Sequence, residues 1–361
     1  MRRSDRILFA ALALTFGCAD PPKKSSSAVA TTAPPDPPPS ASPPGGPSTV
    51  PTTSSSAPPS GASPFAALPD PRRADRLRED VRAFSIVRPP GSVGWARSRA
   101  RIVERLASLG WSAKEERFTA DGINVLAERP GSVAPEQVVV LSAHYDHVPF
   151  CLGADDNASG VAAVLEAARF FQSREIGRTL RLAFWDREET GLEGSLFHAS
   201  EAKRRGDQIR VAISLDGVGF ASSKEGSQRF PPGVEALLPD VFERARDNSF
   251  RANFLTALGD TDALPSLRAF ERAGESVGLL AFGVELGGLT RLALQDAARS
   301  DHASFWLHGY AGVLVTDTAN FRNPRYHCGS GQDDPESLDY VFLERAASTV
   351  IGMTLEELAA P

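Results

Sequence analysis

Val138-Val139-Val140-Leu141-Ser142-Ala143 runs directly into His144-Tyr145-Asp146-His147, and this junction decides how the rest of the chain is read. Six apolar or small residues without polar alternation describe a strand covered on both faces, as in a parallel sheet. The polar tetrad that follows therefore stands at a carboxyl edge. Two later stretches repeat the pattern: residues 180–185 end at Asp186-Arg187-Glu188-Glu189, and Val211-Ala212-Ile213-Ser214-Leu215 ends at Asp216. Between them, residues 160–171 and 194–205 have helical spacing, which supplies the crossovers that parallel strands require. A fourth apolar strand over 312–316 follows Ser300-Asp301-His302, and residues 338–358 read as a long closing helix. The expected fold class is α/β: one three-layer α/β/α sandwich around a mixed, mostly parallel sheet.

Ligands of such sheets bind beyond the carboxyl ends of the strands. The residues gathered there are His144, Asp155, Asp156, Glu188, Glu189, Asp216 and His302. Each has an ordinary structural use: Asp155-Asp156-Asn157 can cap a helix, Asp216-Gly217 can turn, Glu188-Glu189 can be a solvated pair, and a single histidine can belong to the core. Their coincidence at successive strand exits favours a metal. Imidazole and carboxylate without thiolate suit zinc or another first-row divalent ion. A set that exceeds four ligands points to an open, catalytic and binuclear centre.

The flanks set the context. Half of the 28 prolines fall between Pro21 and Pro64, among serine and threonine runs with few large apolar side chains, so residues 19–64 are expected to form a disordered tether. Before it, Arg2, Arg3 and Arg6 precede an apolar run over 7–16 and Gly17-Cys18, the pattern of a secretory signal. Leu14-Thr15-Phe16-Gly17-Cys18 resembles a lipobox, which implies acylation at Cys18; ordinary signal cleavage is the alternative. The product is expected in the cell envelope as a lipoprotein, or else periplasmic or secreted. Residues 65–361 form the remaining domain. The net charge is −6 and no basic patch is present, which argues against nucleic-acid binding; no later apolar run is long enough to span a membrane, so membrane contact is expected only through the anchor. Cys151 and Cys328, an even pair in an oxidising compartment, form either a disulfide or two buried thiols.

Ala143-His144-Tyr145-Asp146, the tract Gly153-Ala154-Asp155-Asp156-Asn157-Ala158-Ser159-Gly160, Glu188-Glu189-Thr190-Gly191-Leu192-Glu193-Gly194-Ser195, Asp216 and Ser300-Asp301-His302-Ala303-Ser304-Phe305-Trp306 resemble, in order, the motifs of the dizinc aminopeptidases. That family includes aminopeptidase Y and the secreted bacterial leucyl aminopeptidases, all zinc exopeptidases. The likeness spans roughly residues 80 to 358. It implies two Zn2+ ions, one held by His144 and Asp216, the other by Glu189 and His302, with Asp155 bridging. Glu188 would be the general base, and Asp146 would orient His144 through a hydrogen bond, with Asp156 and Asp301 supporting the ligands beside them. A cis peptide is expected at Asp155-Asp156. The tract Tyr326-His327-Cys328-Gly329-Ser330-Gly331-Gln332-Asp333 resembles a late family element but is longer, which implies that His327 lines the pocket rather than binding metal.

The implied activity is an exported aminopeptidase that removes N-terminal residues from peptides with a free N-terminus. The alternatives are a deacylase or carboxypeptidase-like hydrolase of the same fold, a single-zinc glutaminyl cyclase, or a non-catalytic receptor that keeps the fold. Phe220, Phe230, Phe282 and Tyr310 are candidate pocket walls, and Arg187, Arg291 and Arg325 candidate clamps for a substrate carboxylate.

Overall fold

A computed structural model describes residues 64–360 of the chain; the leader and all but the last residue of the tether lie outside them. Eight strands form one sheet: β1 (Ala113–Arg117), β2 (Ile123–Arg129), β3 (Ala134–His144), β4 (Arg178–Trp185), β5 (Gln208–Leu215), β6 (Phe254–Gly259), β7 (Leu280–Glu285) and β8 (Gly312–Thr316). Their spatial order is β1-β2-β4-β3-β5-β8-β6-β7. The central pairs β4/β3, β3/β5 and β5/β8 are parallel, as are β6/β7, while β1/β2, β2/β4 and β6/β8 are antiparallel. The mixed, mostly parallel sheet expected from the sequence is the one observed.

Ten α-helices lie among the described residues, beside several short 3-10 turns: α1 (Arg73–Phe84), α2 (Val93–Ser108), α3 (Gly160–Phe171), α4 (Glu193–Arg205), α5 (Val234–Leu237), α6 (Pro239–Asp247), α7 (Leu264–Ser276), α8 (Gly288–Ala293), α9 (His302–Leu307) and α10 (Tyr340–Leu358). The helical crossovers and the closing helix read from periodicity appear as α3, α4 and α10. None of the described helices is long and apolar enough to cross a membrane.

Both faces of the central strands are covered, which explains their unbroken apolar runs. Val139 and Leu141 pack with residues of α1, α3, α7 and α10, whereas Val138 and Val140 pack with Ala199 and Ala202 of α4 and Phe305 of α9. The exception in β4 is Arg181, which is buried but bonded to Glu128 and Asp207. His198 lies beside it, with Nε2 3.1 Å from Arg181 and Nδ1 2.9 Å from Glu116. His198 thus belongs to a satisfied polar cluster beneath α4, consistent with a packing role. A third apolar cluster, with Val234, Phe254, Phe282, Leu286 and Leu294, fills the far end of the sheet around α5, α6 and β7.

Candidate metal centre

The strand order β4-β3-β5 places three carboxyl ends side by side. His144 is the last residue of β3 and pairs in register with Trp185, the last of β4; Asp216 directly follows β5. Asp146 organises the turn after β4, because Oδ1 accepts the Glu188 N–H at 3.0 Å and Oδ2 accepts the Glu189 N–H at 3.3 Å. Behind this edge, the buried Arg88 guanidinium donates to the carbonyls of Tyr145, Leu152 and Gly153 at 3.0, 2.6 and 2.8 Å. That network holds the loop after β3 rigid. Gly153 turns the loop with φ of 59°, and a Cβ there would lie 2.5 Å from the His147 ring, so only glycine satisfies both constraints.

Two groups of ligand atoms result. His144, Glu188 and Asp216 form one, and His147, Asp156 and Glu189 the other; within each, the ligand atoms lie within 4.8 Å of one another. Asp156 faces both sides: Oδ1 is 3.3 Å from His144 Nε2, and Oδ2 is 3.0 Å from His327 Nε2. His144 Nε2 is also 3.6 Å from Asp216, and His327 Nε2 is 3.2 Å from Glu189 Oε2. His147 Nδ1 is hydrogen-bonded to Glu189 Oε1 at 2.8 Å.

Several of these atoms are buried without any hydrogen-bond partner: both ring nitrogens of His144, Nε2 of His147 and of His327, and Oδ1 of Asp156. Orphaned buried polar atoms are rare because each costs its full desolvation. Here they converge with acidic side chains that repel one another, and imidazole with carboxylate is the donor chemistry of zinc. The residues present therefore fit a divalent metal.

The electrostatics agree. Burial opposes a charge on His144, but Glu188, Asp146, Asp156 and Asp216 outweigh it and hold its pKa well above the ordinary value. Burial would also lower His327, yet Asp156 and Glu189 carry it up to about 10. Glu188 is pushed well up by burial and by the charges of Asp216, Asp301 and Glu189, against the pull of His144. Asp156 is held well below the usual range by His144, His327 and His147 in spite of burial. Without a cation the cluster retains protons to balance its carboxylates, and metal binding at such a set would release them.

The structure departs from the expected ligand set at two positions. Asp155 does not lie between the groups: Oδ1 accepts the Gly219 N–H and Oδ2 the Asn323 side-chain N–H, each at 2.9 Å. Asp333 Oδ2 accepts the N–H groups of both Asp155 and Asp156, and successive carboxylates on the turn diverge so that Asp156 enters the site. The cis peptide is Asp156-Asn157, one residue later than expected. His302 stands apart from both groups. Its Nε2 donates to the Ala297 carbonyl at 2.9 Å and its ring meets Trp306 edge-on, which makes it a buried histidine at the start of α9. In its stead His327, expected only to line the pocket, reaches Asp156 and Glu189.

Other expected residues are placed as follows. Asp146 lies 3.7 Å from His144 Nδ1, beyond a hydrogen bond, so its contacts hold the glutamate backbone instead. Asp301 is buried near His144, and burial followed by the repulsion of Asp216 and Asp146 pushes it up to about 7. Cys151 and Cys328 are bonded to each other. His147, to which the sequence reading assigned no ligand role, bonds the Glu189 carboxylate; the His-x-Asp-His spacing on one strand exit was its available signal.

An apolar cavity opens beside Asp216, with about 970 Å3 of empty space including its mouth. Phe230, Val234, Leu238, Phe254, Leu286 and Leu294 line it, and Arg299 and Tyr326 stand among its polar residues. Of the expected walls only Phe230 contributes. Phe282 stacks behind Phe254, Phe220 packs on the main core, and Tyr310 donates to the Asp207 carbonyl. The arginines considered as clamps are engaged elsewhere: Arg187 with Asp121, Arg291 over Trp306 and Arg325 with Asp334.

Comparison with known proteins places this geometry. The sequence model of Peptidase family M28 matches residues 124–270, a span that includes His144, Asp156, Glu188, Glu189 and Asp216. Aminopeptidase YwaD of Bacillus subtilis is 31% identical over 154 residues, 41% of this chain and 32% of that protein; the chain thus aligns with about a third of that relative. The LapA aminopeptidase of Legionella pneumophila superposes with a TM-score of 0.60 at 14% identity, over 80% of this chain and 72% of that one. Porphyromonas gingivalis glutaminyl cyclase superposes at 0.56 with 18% identity, over 79% and 98%. At such identities the two structures establish the shared α/β/α fold. The match over the strand exits, joined to a ligand cluster at those same exits, makes this chain similar to Peptidase family M28 over residues 124–270 and supports its reading as a metallopeptidase.

Proposed function

We propose that this chain is a zinc aminopeptidase with a two-metal centre. His144 and Asp216 would hold one ion, Glu189 and His327 the other, with one Asp156 oxygen toward each. The observation that carries this reading is the position of Asp156, whose two oxygens approach His144 on one side and His327 on the other. Zinc bound there supplies Lewis acidity, polarising the scissile carbonyl and easing deprotonation of the attacking water. Glu188 stands in the first group but is not needed as a ligand. Its raised proton affinity suits a base that takes the proton of that water and returns it to the leaving amine. The acidic edge attracts a substrate's free α-ammonium group, and the cavity beside Asp216 receives the first side chain.

The test compares a short peptide beginning with leucine and its N-acetylated twin, with and without a chelator. Cleavage of the free-amine peptide alone, abolished by the chelator, is expected. Equal cleavage of both would exclude amine docking. Cyclisation of an N-terminal glutamine without peptide cleavage would favour the cyclase reading, which the likeness to glutaminyl cyclase supports at the level of the fold.

We also propose export with acylation at Cys18, on the strength of the leader and lipobox-like residues. A Cys18→Ser form that stays in the membrane fraction would argue against the anchor.

A further inference from the structure

We infer that the Cys151–Cys328 disulfide positions His327, so that the second metal position depends on it while the first does not. The inference rests on the two-metal reading above.

The two groups are built differently. His144 and Asp216 sit on the ends of adjacent central strands, so sheet hydrogen bonds place them. Glu189 is fixed through its N–H to Asp146. His327 has no such scaffold. It belongs to a short 3-10 turn, Tyr326–Cys328, in the connection between β8 and α10. Both His327 and Cys328 have left-handed backbones, with φ of 50° and 57°. Non-glycine residues hold that conformation only where the surroundings impose it.

What imposes it can be traced. Asn323 and Asp333 pin the two ends of the loop through buried bonds to Asp155 and Asp156. Between those pins, Cys328 N–H to Arg325 and Ser330 to Pro324 are bonds within the loop itself. Gln332 reaches the Phe150 carbonyl and the Leu152 N–H, but at exposed positions where water competes. The disulfide joins the residue next to His327 to the fully buried Cys151. Cys151 in turn lies in the loop that Arg88 holds through the adjacent Leu152 and Gly153 carbonyls. The chain of constraint thus runs from Arg88 to Cys151, across the bond to Cys328, and to the imidazole that faces Asp156 and Glu189.

Metal affinity falls about 10- to 100-fold when a ligand loses the partner that orients it, and that loss is expected here for one ion only. The full chain is stripped of metal and titrated with zinc by calorimetry, with ions counted by native mass spectrometry. The same is done for a Cys151→Ala/Cys328→Ala double variant, in which neither of the two positions offers a thiol to zinc. A third sample is the parent protein reduced by dithiothreitol, whose two electrons and two protons convert the disulfide to two thiols, then capped with iodoacetamide. Two ions in the intact protein, with one unchanged and the other weakened at least tenfold in either altered form, is the expected result. His327→Ala with the disulfide intact should weaken the same ion. Two ions of unaltered affinity after the bond is lost overturn the inference and leave the two-metal reading standing. A single ion in the intact protein overturns both. Near-UV circular dichroism identifies a double variant that has not folded, in which case the reduced and capped protein decides.

Discussion

Glu188 and Glu189 show how one carboxylate differs from its neighbour. Both N–H groups bond the same Asp146 carboxylate, yet Glu189 meets His147 and His327 while Glu188 meets His144 and the repulsion of Asp216 and Asp301. Glu188→Gln is accordingly expected to lower kcat by about 10²- to 10⁴-fold with zinc stoichiometry unchanged; loss of an ion in that variant would make Glu188 a ligand. His302 is a residue-scale case with a different readout. Burial pulls its pKa down to about 4, against an ordinary value of 6.5. The folded state therefore refuses a proton that the unfolded chain accepts, so stability is fully present above pH 6.5 and is lost as pH falls toward 4. The loss from this group should be on the order of 2 kcal/mol between pH 7.5 and 5. His302→Gln retains a donor for the Ala297 carbonyl and should flatten that slope, as measured by urea unfolding of the metal-free protein at the two pH values.

At the scale of elements, the choice of the first side chain falls, on the proposed aminopeptidase reading, to the far end of the sheet. Residues of α5, α6, β6 and β7 line the apolar cavity, and Asp216 is part of the same lining. On that reading an aromatic or large aliphatic first residue would bury its surface there, each methylene contributing about 0.8 kcal/mol. Peptides beginning with leucine or phenylalanine should exceed those beginning with glycine in kcat/KM by at least tenfold. Val234→Trp fills the cavity from α5, an element that carries none of the proposed metal ligands. It is expected to erase that preference chiefly through KM while leaving slow glycine-peptide turnover in place. An unchanged preference would mean that the first side chain binds elsewhere.

For the molecule as a whole, the cluster of carboxylates and orphaned imidazoles is a standing cost that a bound cation offsets, and ligands that bind only the folded state raise its stability by mass action. Chelation should lower the melting temperature by several degrees, reversibly on return of zinc. A melting temperature indifferent to the chelator would show that the cluster is satisfied without metal. Much of this arrangement was legible beforehand. Unbroken apolar runs identified β3, β5 and β8, helical spacing identified α3, α4 and α10, and the polar residues after each run located the edge where chemistry gathers. Those features depend on periodicity and burial, which are local to a segment. The strands β1, β2, β6 and β7, two at each flank of the sheet, were not read from the sequence, and neither was the cavity, because a pocket is made by surfaces distant in sequence. Sequence by itself determined the central strands, their reactive edge and the residue types collected there. Tertiary structure alone decided that Asp156 and not Asp155 faces both groups, because a one-residue step along an irregular turn changes a side chain's direction without changing the motif. It likewise decided for His327 over His302, because a histidine's distance from the site depends on how loops fold back, and here the bond from Cys328 to Cys151 brings the later one home.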